Sequence, residues 1–89
     1  MAQTADIKCS VITPEAQVVE TEATQVIIPA HDGLIGILHN HAPLLCEVGK
    51  GVLRIDDTSG KQRQVEVEGG FAQVLNNEVI VLTETAKEI

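Results

Sequence analysis

The stretch Gln64-Val65-Glu66-Val67-Glu68-Gly69-Gly70-Phe71-Ala72-Gln73-Val74-Leu75-Asn76-Asn77-Glu78-Val79-Ile80-Val81-Leu82 decides the fold class. Val65 and Val67 fall on one side of it, and Gln64, Glu66 and Glu68 on the other. Successive side chains on a strand point to opposite faces, so this period of two marks a half-buried strand. Gly69-Gly70 breaks the strand, as a bulge or corner does. Residues 71–75 and 79–82 then read as a hairpin about Asn76-Asn77, because Asn visits positive φ more readily than most residues.

Working outward, the same alternation returns almost everywhere. Residues 52–55 form a strand, and Asp56-Asp57-Thr58-Ser59-Gly60 has the composition of a hairpin loop. Before it, residues 44–48 lead from Pro43 into a Gly49-Lys50-Gly51 turn. Asp32-Gly33 is a tight turn where Gly tolerates positive φ, followed by a short strand or edge over 34–38. Residues 25–28 read as a strand closed by Pro29, which cannot donate to a ladder. Val18-Val19 begins a separate strand that fades into Glu20-Thr21-Glu22. At the start, Ile7, Cys9 and Val11 alternate with Lys8 and Ser10 up to the turn Thr13-Pro14-Glu15. Only residues 85–89 suggest a final helical turn. About nine strands with turn signals between them predict one all-β domain over residues 1–89, a sandwich or barrel.

Composition agrees. Of 89 residues, 44% are apolar, and Phe71 is the only aromatic, so the core must be aliphatic. Its Val and Ile suit a pleated surface. A chain this short buries only roughly 60% of its unfolded surface, which leaves a thin margin of stability. The net charge of −7 argues against nucleic acid, which needs a basic patch, and against an anionic lipid surface. No stretch approaches the ~20 apolar residues of a bilayer span, so no direct membrane insertion is expected. Residues 1–6 lack the charged and apolar regions of an export signal. Cys9 and Cys46 read as reduced thiols of a cytosol-like compartment.

Chemistry is sparse. A phosphate-cradling loop needs Gly, four residues, then Gly-Lys and Ser or Thr. Gly49-Lys50 is followed by Gly51, and Gly60-Lys61 by Gln62, so both are ordinary turns. His31, Asp32, His39 and His41 lie close in sequence and would suit a tetrahedral metal shell if they converged. Asn40 and Pro43 argue for a loop there and for surface histidines. Ser10, Ser59, Cys9 and Cys46 stand in no nucleophile motif. No catalytic residue, cofactor or metal is expected. A biotin or lipoate carrier is the other small acidic β-sandwich to weigh, with Lys61 in a hairpin, but Gly60 and Gln62 are not the neighbours that such lysines keep.

Four ordered blocks carry a resemblance. Asp32-Gly33-Leu34-Ile35-Gly36-Ile37-Leu38-His39-Asn40-His41-Ala42-Pro43-Leu44-Leu45 resembles the ε subunit of bacterial and chloroplast F-type ATP synthases, the δ subunit of mitochondria. Val11-Ile12-Thr13-Pro14-Glu15 resembles that family's first strand and turn. Gly51-Val52-Leu53-Arg54-Ile55 resembles its central strand. Gly69-Gly70-Phe71, with residues 79–86, resembles its last hairpin.

The resemblance implies a flattened sandwich of about ten strands in two five-stranded sheets. It implies a non-catalytic rotor element of the central stalk that links the γ subunit to the ring of c subunits. Thr13, His41, Pro43 and Cys46 would face γ, while His31, Asp32, Gly33 and Leu34 would rest on the c-ring. The chain would then be peripheral to the energy-coupling membrane, on its cytoplasmic side in bacteria or its stromal or matrix side in an organelle. Three departures stand out. Leu34 replaces a frequent Glu, and His39-Asn40 replaces the usual Pro-Gly. The family continues beyond the position of Ile89 into a C-terminal helical hairpin, so the regulatory nucleotide site and blocking arm of that hairpin are not expected here.

Overall fold

The fold is that of a computed structural model, which describes residues 6–89; the stretch read above for an export signal lies mostly outside them. Among the described residues all regular structure is strand. In chain order the strands are β1 (Ile7–Ile12), β2 (Gln17–Ala30), β3 (Gly33–Ile37), β4 (Leu44–Glu47), β5 (Lys50–Asp57), β6 (Gln62–Glu68), β7 (Phe71–Leu75), β8 (Glu78–Leu82) and β9 (Thr85–Glu88).

The pairing runs β4-β7-β8-β1-β2-β5-β6-β9, with β3 added on β2. All neighbours are antiparallel except β1 and β8, which are parallel. The first half of β2 pairs with β1 and its second half with β3 and β5. Counting β2 in each, there are two five-stranded sheets, β4-β7-β8-β1-β2 and β3-β2-β5-β6-β9. The path does not close.

Sequence reading missed this shared strand. It separated residues 18–19 from 25–28 because Glu20, Thr21 and Glu22 are polar. In the fold these three lie opposite Ser10, Cys9 and Lys8 on β1, with Glu20 and Glu22 turned to solvent. The register on β5 shifts between Ala23 and Gln25, where the strand passes from one sheet to the other. A bulge bends a strand and increases its twist, which is what such a passage requires. Pro29 does not end β2 either. It pairs with Leu34 beyond the last β5 pair, where no ladder asks for its missing N–H, and its carbonyl accepts from Gly49 N at 2.8 Å.

The sequence also suggested a helical turn at 85–89. Residues 85–88 form β9 instead, in register with β6 through Val67↔Ala86 and Val65↔Glu88. Arg63 grips Glu88 there with two hydrogen bonds of 2.7 and 2.9 Å. One short turn cannot hold a helix without tertiary support, and the open edge of β6 offers a ladder.

The core lies between the sheets and is aliphatic, as composition required. Ile7, Cys9 and Val11 meet Val79 and Val81 from β8, Leu53 and Ile55 from β5, and Val65 and Val67 from β6 in one buried cluster. Thr83 is the buried polar residue among those described. Its hydroxyl donates toward the carbonyls of Glu68 and Thr85 (3.0 and 3.1 Å) and lies 3.3 Å from Glu68 N, while its own N–H reaches Ile12 O. Thr83 therefore ties the ends of β1, β6 and β9 together where the two sheets meet, and its polar atoms are satisfied.

Candidate interaction surfaces

The two sheets turn unlike faces outward. On the first, register places side chains in rows across β4, β7, β8, β1 and β2. One row is Glu47-Phe71-Leu82-Ile12-Gln17, and the next is Leu45-Gln73-Ile80-Ser10-Glu20. Phe71, Leu82 and Ile12 are thus adjacent on three strands, with Ile80 diagonal to them. Phe71 is 55% exposed, Leu82 53% and Leu45 70%. Isolated apolar residues on a surface mean little, but a contiguous row is the mark of a covered face.

The second sheet is mostly polar over β5, β6 and β9. On these strands its outer face carries Arg54, Asp56, Gln62, Gln64, Glu66 and Lys87 beside the exposed Val52, and on β2 and β3 the same side carries the half-buried Ile27 and the exposed Leu34. Arg54 Nε donates to Asp56 Oδ1 at 3.1 Å, so these charges are partly matched among themselves. This face is solvated in the ordinary way of an antiparallel sheet.

The residues read as contacts of γ sit at both ends of the apolar face. Thr13 closes the β1–β2 turn, where its N–H donates to Ala16 O at 2.8 Å and its hydroxyl bonds Ala16. Pro14 beside it lines one groove with Phe71 and Leu82. Pro43 lines another with Leu45 and Leu75 at the far end of β7. His41, in the same β3–β4 loop, is half-buried, and its Nδ1 lies 2.7 Å from Ala42 O. A carbonyl only accepts, so Nδ1 is the donor in this contact. Cys46 differs. It packs inward from β4 against the core, and burial raises its pKa, so its thiol is a packing group at ordinary pH.

The residues read as contacts of the c-ring form one structural unit. Ala30 and Gly33 pair, which makes His31 and Asp32 a two-residue hairpin tip. Gly33 has φ +135°, a conformation that L side chains rarely adopt. All four residues of 31–34 are exposed, and Leu34 is 74% so. His31 N donates to Glu47 O at 3.0 Å and anchors this tip to β4. Cys46 and Glu47 line a groove with this tip, so Cys46 lies nearer the 31–34 unit than its sequence grouping with His41 suggested.

Other sequence candidates find ordinary places. His31 is separated by β3 from His39 and His41, and among the described residues no three His, Cys, Asp or Glu side chains gather as a metal shell. Lys61 is in the β5–β6 hairpin, and its N–H, with the Ser59 N–H and hydroxyl, donates to Asp57 Oδ1. These bonds hold the Asp57 carboxyl below its usual range. Cys9 is buried in the core, which pushes its thiol up to about 12. Sequence reasoning missed the apolar row itself. The signal was present, for Val79-Ile80-Val81-Leu82 is apolar at four successive positions and so does not alternate.

Comparison with known proteins gives the geometry its context. Residues 6–89 match the family model described as "ATP synthase, Delta/Epsilon chain, beta-sandwich domain". The chain belongs to this family. A relative from a Synechococcus strain, an ATP synthase epsilon chain, is 48% identical over 77 residues, which is 86% of this chain and 56% of the relative. The chloroplastic epsilon chain of Cyanidioschyzon merolae is 42% identical over 82 residues, 92% of this chain and 62% of its own. The chain thus spans little more than half the length of such relatives. In solved structures, a chain of the Euglena gracilis mitochondrial ATP synthase superposes with a TM-score of 0.88 at 22% identity, covering 99% of this chain and 56% of that one. A chain of the Tetrahymena thermophila mitochondrial central stalk and c-ring gives 0.75 at 16%, covering 91% and 65%. At those identities the likeness concerns the fold.

Proposed function

We propose that this β-sandwich of the delta/epsilon family is a non-catalytic element of the central stalk of an F-type ATP synthase, seated between γ and the c-ring. One observation supports the assignment of faces: Phe71, Leu82 and Ile12 form a contiguous apolar row on the first sheet, whereas β5, β6 and β9 of the second turn mostly polar side chains outward. The apolar face, bounded by Thr13 at one end and by His41 and Pro43 at the other, is the γ face. The tip at residues 31–34, anchored through His31 N to β4, rests on the ring. Torque passes through packed side chains, so the coupling surface must be stiff and complementary, which a close-packed aliphatic sandwich supplies. The domain is peripheral to the membrane, on the side where the catalytic head lies.

Titration of the chain against γ tests this. Leu82→Glu places a carboxylate in the middle of the row, where desolvation without a partner costs a few kcal/mol. Binding is expected to weaken ten- to a hundred-fold or about that. Glu66→Lys, on β6 of the second sheet, is expected to bind as the parent does. Normal binding by Leu82→Glu, or loss only with Glu66→Lys, assigns the wrong face.

A further inference from the structure

The β3–β4 loop, residues 38–43, carries His41 and Pro43 and belongs to no sheet. His41 N donates to Leu38 O at 3.1 Å, closing a four-residue turn with Asn40 in its third position. Asn40 has φ +64°. A turn with positive φ at that position favours Gly, with Asn next. Asn40 therefore holds a backbone geometry that glycine adopts more easily.

The β7–β8 hairpin makes a similar demand on its backbone. Leu75 pairs with Glu78, leaving Asn76 and Asn77 as a two-residue loop with φ +52° and +62°. Such loops favour Gly second. Here again an Asn stands where a glycine would be easier.

The two asparagines meet. Asn40 N donates to Asn77 Oδ1 at 2.6 Å, and Asn77 Nδ2 donates to Asn40 Oδ1 at 3.3 Å. Asn77 is itself fixed, because its carbonyl accepts from Lys8 N at 3.0 Å on β1. Otherwise, among the described residues, side-chain bonding from this loop to the rest of the fold is the long His39 Nδ1 contact to Asp6 O at 3.4 Å.

We infer that Asn40 and Asn77 are positioning residues. Together they clasp the β3–β4 loop onto the β7–β8 hairpin and so pre-set His41 and Pro43 for γ. The inference rests on the stalk reading above. A glycine at position 77 would keep the turn but free the loop. The partner would then meet a loop that must be ordered on binding, and ordering weakens affinity. The clasp removes that cost in advance.

Asn77→Gly is the direct test, since it retains positive φ and deletes only the side chain. Amide exchange by NMR on this chain is expected to quicken at Asn40 and His41 while β1 and β8 stay protected. The dissociation constant for γ is expected to rise about five-fold, the scale of one neutral hydrogen bond. Asn40→Gly keeps its own backbone N–H on Asn77 Oδ1 and loses only the 3.3 Å bond, so its effect should be the smaller of the two. The double variant should be no weaker than Asn77→Gly alone, because that single change already removes both bonds. Asn77→Asp keeps the acceptor for Asn40 N–H and is expected to restore most of the binding. Asn76→Gly, which touches no clasp, is expected to change nothing. The thermal midpoint should hold or rise in the glycine variants, which relieve a positive φ, so a merely structural role would not reproduce the pattern. Unchanged exchange at Asn40 in Asn77→Gly overturns the clasp. Quickened exchange with parental γ affinity overturns its positioning role. Failure of the parent chain itself to bind γ overturns the stalk reading and this role with it.

Discussion

His41 is half-buried beside the apolar face, with its Nδ1 proton held by the Ala42 carbonyl. Replacing it by Asp loses that donor and adds a charge at the edge of the face proposed for γ. His41→Asp is expected to weaken γ binding at least about ten-fold, while the isolated chain unfolds at the parental urea concentration. Near-parental affinity by calorimetry would remove His41 from the interface. The two thiols give a second residue-scale expectation. Burial raises both, Cys9 up to about 12. Under native conditions iodoacetamide is expected to reach Cys46 first and Cys9 only as fast as the chain unfolds. Equal labelling of the two, read by mass spectrometry, would contradict the buried position of Cys9.

At the scale of elements, the corner between β6 and β7 is the strictest constraint. A Cβ on Gly70 would come 1.8 Å from Leu82 O and 2.8 Å from Thr83 Cα, at φ +100°. Both obstacles are backbone, at and just past the end of β8, so nothing can swing aside. Gly69 also has positive φ, but a Cβ there meets only the flexible Glu84 side chain, at 3.3 Å. Gly70→Ala is expected to cost about 3 kcal/mol or more, and Gly69→Ala about 1–2 kcal/mol. Urea unfolding of both variants measures this, and equal costs would show that the corner relaxes. The sequence marked Gly69-Gly70 as a break without distinguishing the two. That distinction comes from β8, which is near only after folding.

For the whole molecule, the outermost ladder contributes a pH-dependent term. The Arg63 guanidinium bonded to Glu88 holds that carboxyl below its usual range. A carboxyl whose folded pKa is lowered contributes stability that is present above its unfolded value, about 4.3, and lost as pH falls through the lowered one. The parent chain is therefore expected to be more stable than Glu88→Gln at pH 7, by an amount that shrinks as acid titrates Glu88. The pair is partly exposed, so the difference is small. Thermal melts from pH 7 to pH 2 read it. A gap that does not narrow in acid would show that Glu88 acts through packing alone.

Period-two alternation, an aliphatic composition and turn residues were enough to place β1, β5, β6, β7 and β8, because each of these is a property of neighbours in the chain. The same pattern assigned Val65, Val67, Val79 and Val81 to the core, and four ordered motifs pointed to the family. Only tertiary structure decided that β2 runs through its polar middle from one sheet to the other, since Glu20 and Glu22 are tolerated there by an outer face that no local window reveals. It also decided that residues 85–88 become β9, because the ladder they complete is the edge of β6. The apolar row Phe71-Leu82-Ile12 arises in the same way. Its members are up to 70 residues apart in number, and strand register alone makes them neighbours. Alternation tells which side of a strand a residue takes; which strands lie next to it is settled by long-range pairing.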